Sequence, residues 1–148
     1  HFIPDTLNII KEHNLSTDMF EFELTERMLI EDNESGLNRI RKLSDSGFSI
    51  AIDDFGTGYS SFSYLQNYII HTMKIDKSFI DQLEFNQQTR TIVTAMIGLG
   101  HHLGMKIVAE GVENAQQYKI LKLMNCDILQ GYYIDKPLLV KEISSKYY

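Results

Sequence analysis

Asp53 and Asp54 stand side by side directly after Phe48-Ser49-Ile50-Ala51-Ile52, a run with almost no polarity. Two adjacent carboxylates at the end of a buried strand repel each other and lose hydration, so they need a cation, a basic partner or solvent. Glu23 lies between Phe22 and Leu24, Glu110 closes the run Lys106-Ile107-Val108-Ala109, and Gln130 closes Asp127-Ile128-Leu129. Lys74 sits inside Met73-Lys74-Ile75-Asp76, where a lysine seldom goes without a partner. Each has an ordinary alternative: a solvated loop start for Asp53-Asp54, a half-exposed strand face for Glu23, a rim-reaching lysine for Lys74, a closing polar residue for Gln130. Glu26 follows the strand of Glu23 and suits an N-cap, a loop brace or a ligand equally well. Glu110 and Glu113 precede a helix start near Asn114, which either one suits as a cap.

Carboxylates converging on one face favour divalent cations with oxygen ligands, magnesium or manganese rather than zinc. Two such ions about 3.5–4 Å apart suit in-line phosphoryl displacement, with one carboxylate shared between them; Asp53 is the candidate. Lys74 would orient a nucleophilic water or neutralise a phosphate, and Gln130 would position a water. Adjacent strand residues point to opposite faces, so Asp53 and Asp54 reach one site only where the strand turns into its loop. Phe55-Gly56-Thr57-Gly58 supplies such a turn.

The elements that must carry these groups alternate. Apolar runs at Phe20–Leu24, Phe48–Ile52, Met73–Asp76, Lys106–Ala109 and Asp127–Gln130 read as strands. Helical spacing is expected at Thr6–His13, at Asn33–Leu43 with Leu37, Ile40 and Leu43 on one face, and at Ala115–Met124. A long helix over Thr89–Leu103 is expected to turn Ile92, Ala95, Met96 and Leu99 inward, and Ser60–Leu65 suits a short helix. Pro137 marks the start of a last helix. Strand alternating with helix means an α/β fold with a parallel sheet. Polar groups at the C-terminal ends of four strands favour a (β/α) barrel, whose sites lie on that rim, over an open sheet with a glycine-rich phosphate loop. A complete barrel takes about 250 residues, so this chain is expected to form a partial TIM-like barrel of about five of eight βα units.

The chain has 148 residues and a formal net charge of -6, which disfavours a nucleic-acid polymer as partner. Its single cysteine, Cys126, excludes an internal disulfide, and no Cys/His spacing suits zinc. No apolar run is long enough to span a membrane. A cytoplasmic, soluble chain is expected, with no membrane contact by this segment, although a parent protein could be membrane-anchored.

Taken in order, Glu23-Leu24-Thr25-Glu26, the nine residues Asp53-Asp54-Phe55-Gly56-Thr57-Gly58-Tyr59-Ser60-Ser61, Lys74-Ile75-Asp76, Ala109-Glu110-Gly111-Val112-Glu113 and Gln130-Gly131-Tyr132 resemble the EAL domain family of cyclic di-GMP phosphodiesterases. The likeness runs from about Phe2 to about Ile143. It implies a TIM-like barrel holding two magnesium or manganese ions, and opening of one phosphodiester of cyclic di-GMP to linear pGpG. By the same resemblance Glu23, Asp53 and Asp54 match metal ligands, with Asp53 bridging. Glu110 matches a position near the second metal and the attacking water. Lys74 matches the lysine that holds that water, and Gln130 a support of the water network. Glu26 matches the glutamate that steadies the loop containing Gly56, Thr57 and Gly58, an element linked to dimerisation. The family's Glu-Ala-Leu signature and an asparagine ligand belong to earlier strands, and no such triplet occurs here. Residues 1–148 are therefore expected to be an N-terminally truncated EAL-type domain, weakly active or inactive by itself. Its open sheet edges are expected to give a homodimer or strand-exchanged oligomer. A non-catalytic cyclic di-GMP receptor and a dimerisation module remain the alternatives.

Overall fold

The computed structural model describes residues 2–31, 34–58, 65 and 69–148, with side chains described outside 29–37. The chain begins with α1 (Phe2–Glu12), a 3-10 turn at Thr17–Met19, β1 (Glu21–Thr25), α2 (Glu26–Glu31) and α3 (Glu34–Asp45). Then come β2 (Ser49–Phe55), β3 (Thr72–Ile75), α4 (Lys77–Ile80), α5 (Gln87–His102), β4 (Lys106–Ala109), α6 (Ala115–Leu123), β5 (Ile128–Leu129) and α7 (Val140–Tyr147). All the strands pair parallel in the order β1-β2-β3-β4-β5. A doubly wound sheet reverses direction at a switch point. This one never does, which is the order of a barrel wall, and the architecture is a partial TIM-like barrel.

The two faces of the sheet follow from strand alternation. Ile50, Ile52, Met73, Ile75, Ile107 and Ala109 are fully buried in one core, with Phe22, Leu24 and Leu129 packed against it. Val93 and Ile97 of α5 and Leu121 of α6 belong to that core and identify this as the helix-covered face. The intervening residues, Glu21, Glu23, Asp53, Thr72 and Lys74, face the other way, and Thr72 Oγ1 donates to Glu21 Oε2 across the intervening strand at 2.6 Å.

Three expectations are corrected. The inward stripe of α5 is Thr89, Val93, Ile97 and Gly100, while Ile92 is 39% exposed and Ala95 is also exposed. Met96 and Leu99 do flank the core. The helix lies against β4 at Gly100, where an added Cβ would run into Ile107. A glycine on the inward stripe is something a hydrophobicity pattern does not register. Pro137 does not open the last helix: α7 starts at Val140, and Glu142 Oε2 reaches back to the Leu139 amide at 2.7 Å. Neither Glu110 nor Glu113 caps α6. Asn114 does, accepting from Gln116 N and Gln117 N while Gln117 Oε1 accepts from Asn114 N. The expected helix over Ser60–Leu65 lies, except for Leu65, outside the described residues, as do Asn33 and the side chain of Leu37. Among the described residues no helix is long and apolar enough to cross a membrane.

Candidate metal and phosphate site

β2 does not end before Asp53; it runs on through Asp54 to Phe55. Ile52 pairs with Met73 and Phe55 with Ile75, so β2 spends one residue more than β3 over this stretch. That is a bulge, and Asp54 sits in it with φ 54°, in the left-handed region that aspartate tolerates better than most residues. The extra residue cancels the alternation that would send neighbouring carboxylates to opposite faces. The strand thus brings Asp53 and Asp54 together before the loop begins, not at the loop as the spacing suggests. One oxygen each from Asp53, Asp54 and Glu110 then lie within 4.8 Å of one another.

Lys74 stands at the centre. Its ammonium lies 2.7 Å from Glu23 Oε1, 2.9 Å from Glu110 Oε1 and 3.1 Å from Asp53 Oδ1, with the side chain 8% exposed. Burial works against its charge, but the contacts to Glu110, Glu23 and Asp53 outweigh burial and hold the ammonium above its ordinary pKa. Lys74 does not reach out to solvent at the rim; it ties β1, β2 and the end of β4 together. Glu23, 49% exposed, stands outside the carboxylate trio and meets it through this ammonium. Opposite Glu23 in the β1–β2 register is Ala51, whose small side chain leaves room for Glu23 and Lys74 to meet over β2.

The trio remains unbalanced. Asp53 Oδ1 is buried and, despite its ion-pair distance to Lys74, has no aligned hydrogen-bond donor. Burial, then the charges of Asp53 and Asp76, raise the Asp54 pKa, with Lys74 pulling the other way. A buried carboxylate oxygen without a donor, beside two others, fits a hard divalent cation, and the donor set is all oxygen.

Glu26 opens α2 and is buried; its Oε2 accepts from Gly56 N at 3.0 Å and Gly58 N at 3.3 Å. Thr57 Oγ1 donates to the Asp54 carbonyl at 2.8 Å. Gly56 has φ 96°, and an added Cβ would press on Phe79 and Met96, so the loop lies against α4 and α5. Of the three roles open to Glu26, the geometry is that of a loop brace.

Gln130 and Glu110 line one cleft of about 310 Å³ together with Lys77, Gly111, Glu113, Gly131 and Tyr132. Two of these lining residues, Lys77 and Glu113, form an ion pair. Sequence reasoning missed this pair, although each member stands three residues beyond a site residue, Lys74 and Glu110. It also missed Asp76, whose side chain accepts from Ser78 N at 3.0 Å and caps α4. Cys126 takes no part: it is buried against the Ile107 and Ile128 carbonyls, and burial pushes its thiol up to about 11.

A family model described as "EAL domain" matches residues 1–137. Signaling protein YkoW of Bacillus subtilis is 42% identical over 136 residues, covering 92% of this chain and 17% of its own length. The chain thus spans about a fifth of the curated relatives it matches. The structure of the PaMucR phosphodiesterase in complex with c-di-GMP superposes with TM-score 0.89 at 36% identity, covering 95% of this chain and 57% of that one. The Klebsiella pneumoniae BlrP1 manganese/cy-diGMP complex superposes with TM-score 0.83 at 26% identity, covering 88% of this chain and 33% of that one.

Proposed function

The chain belongs to the EAL domain family, and from that premise we propose that its rim site hydrolyses one phosphodiester of cyclic di-GMP to give linear pGpG. The observation that carries this reading is the bulge at Asp54. It sets Asp53, Asp54 and Glu110 within 4.8 Å of one another, with Asp53 Oδ1 buried and lacking a donor. Glu23, Asp53, Asp54 and Glu110 would hold divalent cations, magnesium or manganese, with Asp53 shared. The bound ions would offset charge on the phosphoryl oxygens and lower the pKa of a water.

The chain's own groups supply the rest. The Lys74 ammonium orients the attacking water by donating to its oxygen. Glu110 accepts the proton as that oxygen bonds to phosphorus. The P–O3′ bond breaks and the departing 3′-oxygen takes a proton from solvent water, leaving a 5′-phosphate on one nucleoside and a 3′-hydroxyl on the other. Gln130, beside Glu110 in the cleft, holds the water network. Glu26 fixes the Gly56–Gly58 amides so that Asp54 keeps its conformation. The proposed substrate, a nucleotide second messenger, supports a cytoplasmic location for the site.

The test is chromatographic. Chain completed by a fused N-terminal half-barrel from a relative, with excess manganese and cyclic di-GMP, is expected to yield pGpG that disappears on Asp53→Ala and on chelation, and residues 1–148 by themselves to yield it weakly or not at all. Binding of cyclic di-GMP with no product from the completed chain would replace the phosphodiesterase by a receptor. Among the described residues β1 and β5 end the sheet with one neighbour each, which supports self-association as a homodimer or by strand exchange. A monomer by light scattering at high concentration would overturn that part.

A further inference from the structure

Resting on the reading that divalent cations bind at this rim, we propose that Lys74 is the site's resident cation. Its ammonium and the incoming ion compete for the same carboxylates, so ion binding transfers Lys74 from holding strands together to serving the reaction. Lys74 lies on β3, yet it touches Glu23 of β1, Asp53 of β2 and Glu110 beyond β4, at 2.7, 3.1 and 2.9 Å. It reaches strands on both sides of its own. Against the four carboxylates Glu23, Asp53, Asp54 and Glu110 it supplies a single positive charge.

Two of the carboxylates it engages, Asp53 and Glu110, belong to the close trio. Magnesium demands oxygen at about 2.0–2.1 Å and would draw these carboxylates toward itself and away from the ammonium. A dication and an ammonium sharing those oxygens would repel each other at close range. The lysine is the partner that can move, because its charge sits on a flexible four-carbon stem. Once displaced, its donors are available to a water or to a phosphate oxygen. The same group therefore stabilises the carboxylate cluster when ions are scarce and becomes reactive equipment when they are bound. By linkage, whatever the ammonium adds to the ion-free fold it subtracts from ion affinity.

The experiment compares the wild-type chain with Lys74→Met, a substitution that keeps the length of the stem and removes the charge. Manganese affinity is measured by calorimetric titration, and melting by circular dichroism in chelator and in saturating manganese. Lys74→Met is expected to bind manganese about tenfold more tightly, within the usual range of coupling between two ligands. It is also expected to melt about 5 °C or more below wild type in chelator, and to recover more than wild type gains on adding manganese. Manganese binding by the variant that is equal to or weaker than wild type would overturn the competition while leaving the metal site standing. No manganese binding by either protein would overturn the metal reading and the competition together. If Lys74→Met folds only with manganese, the competition is supported in its strongest form. If it folds under neither condition, Lys74→Gln takes its place with the same outcomes, and failure of both variants to be rescued by manganese counts against the proposal.

Discussion

The two faces of the same sheet obey different rules. On the helix-covered face Ile50, Ile52, Met73, Ile75 and Ile107 are fully buried in one continuous core. On the opposite face, one residue away along each strand, Glu21, Glu23, Asp53, Thr72 and Lys74 are linked by ion pairs and a hydrogen bond. The first face gains stability from area removed from water, and the second spends some of it on crowded like charges. Fold and function are therefore assigned by residue parity, and only the bulge at Asp54 breaks that parity.

The sharpest way to break this division is a pair of neighbouring substitutions. Ile52→Ala is expected to cost about 2–5 kcal/mol of stability by loss of apolar contact and a cavity, read by denaturant unfolding, with turnover per folded molecule little changed. Asp53→Ala is expected to do the reverse, lowering turnover about 100-fold or more with little change in melting temperature. If Asp53→Ala unfolds the chain, the division between faces is wrong.

The bulge sharpens the comparison further. Asp54→Val places a β-branched residue in the left-handed region and is expected to cost about 1–3 kcal/mol. Asp54→Asn keeps that conformation, so it should melt with wild type yet lose manganese affinity by titration. Away from both faces, Asn114→Ala removes the α6 cap and is expected to cost about 1 kcal/mol without altering turnover.

The smallest expected effect lies at the opposite end of the strands. Asp127 Oδ2 accepts from His101 Nε2 and from Ile107 N, both at 2.8 Å. Burial opposes its charge, but these bonds, with His101 first, lower its pKa. A depressed carboxylate stabilises above its unfolded pKa, about 3.9, and that stabilisation is lost as pH falls through the folded value. Melting temperatures of wild type and Asp127→Asn should thus differ near neutrality and converge as pH drops below about 4.

Much of the candidate site is legible in the sequence because strand ends announce themselves. A carboxylate or amide closing an apolar run points to the rim, as Asp53, Glu110 and Gln130 do, while Glu23 is a charge inside an apolar alternation. Lys74 stood out because it interrupts a buried strand. Three things were not legible, each for a physical reason. A bulge depends on what the neighbouring strand does, and the residues of β2 carry no mark of it. The inward face of α5 includes Thr89 and Gly100, which no apolar periodicity reveals. The contacts of Lys77 with Glu113 and of Thr72 with Glu21 join residues far apart in the chain, and each residue alone is an ordinary surface type.

The left-handed backbone at Asp54 also constrains how such a site can decay. The genetic code places aspartate a single transition from asparagine and a single transition from glycine, and both accept this conformation readily. A lineage released from selection on hydrolysis can therefore discharge the position in one step and keep the bulge, the loop and the helices packed on it. Inactive descendants of such a chain would be inherited as intact folds, available for reuse as receptors rather than lost to unfolding.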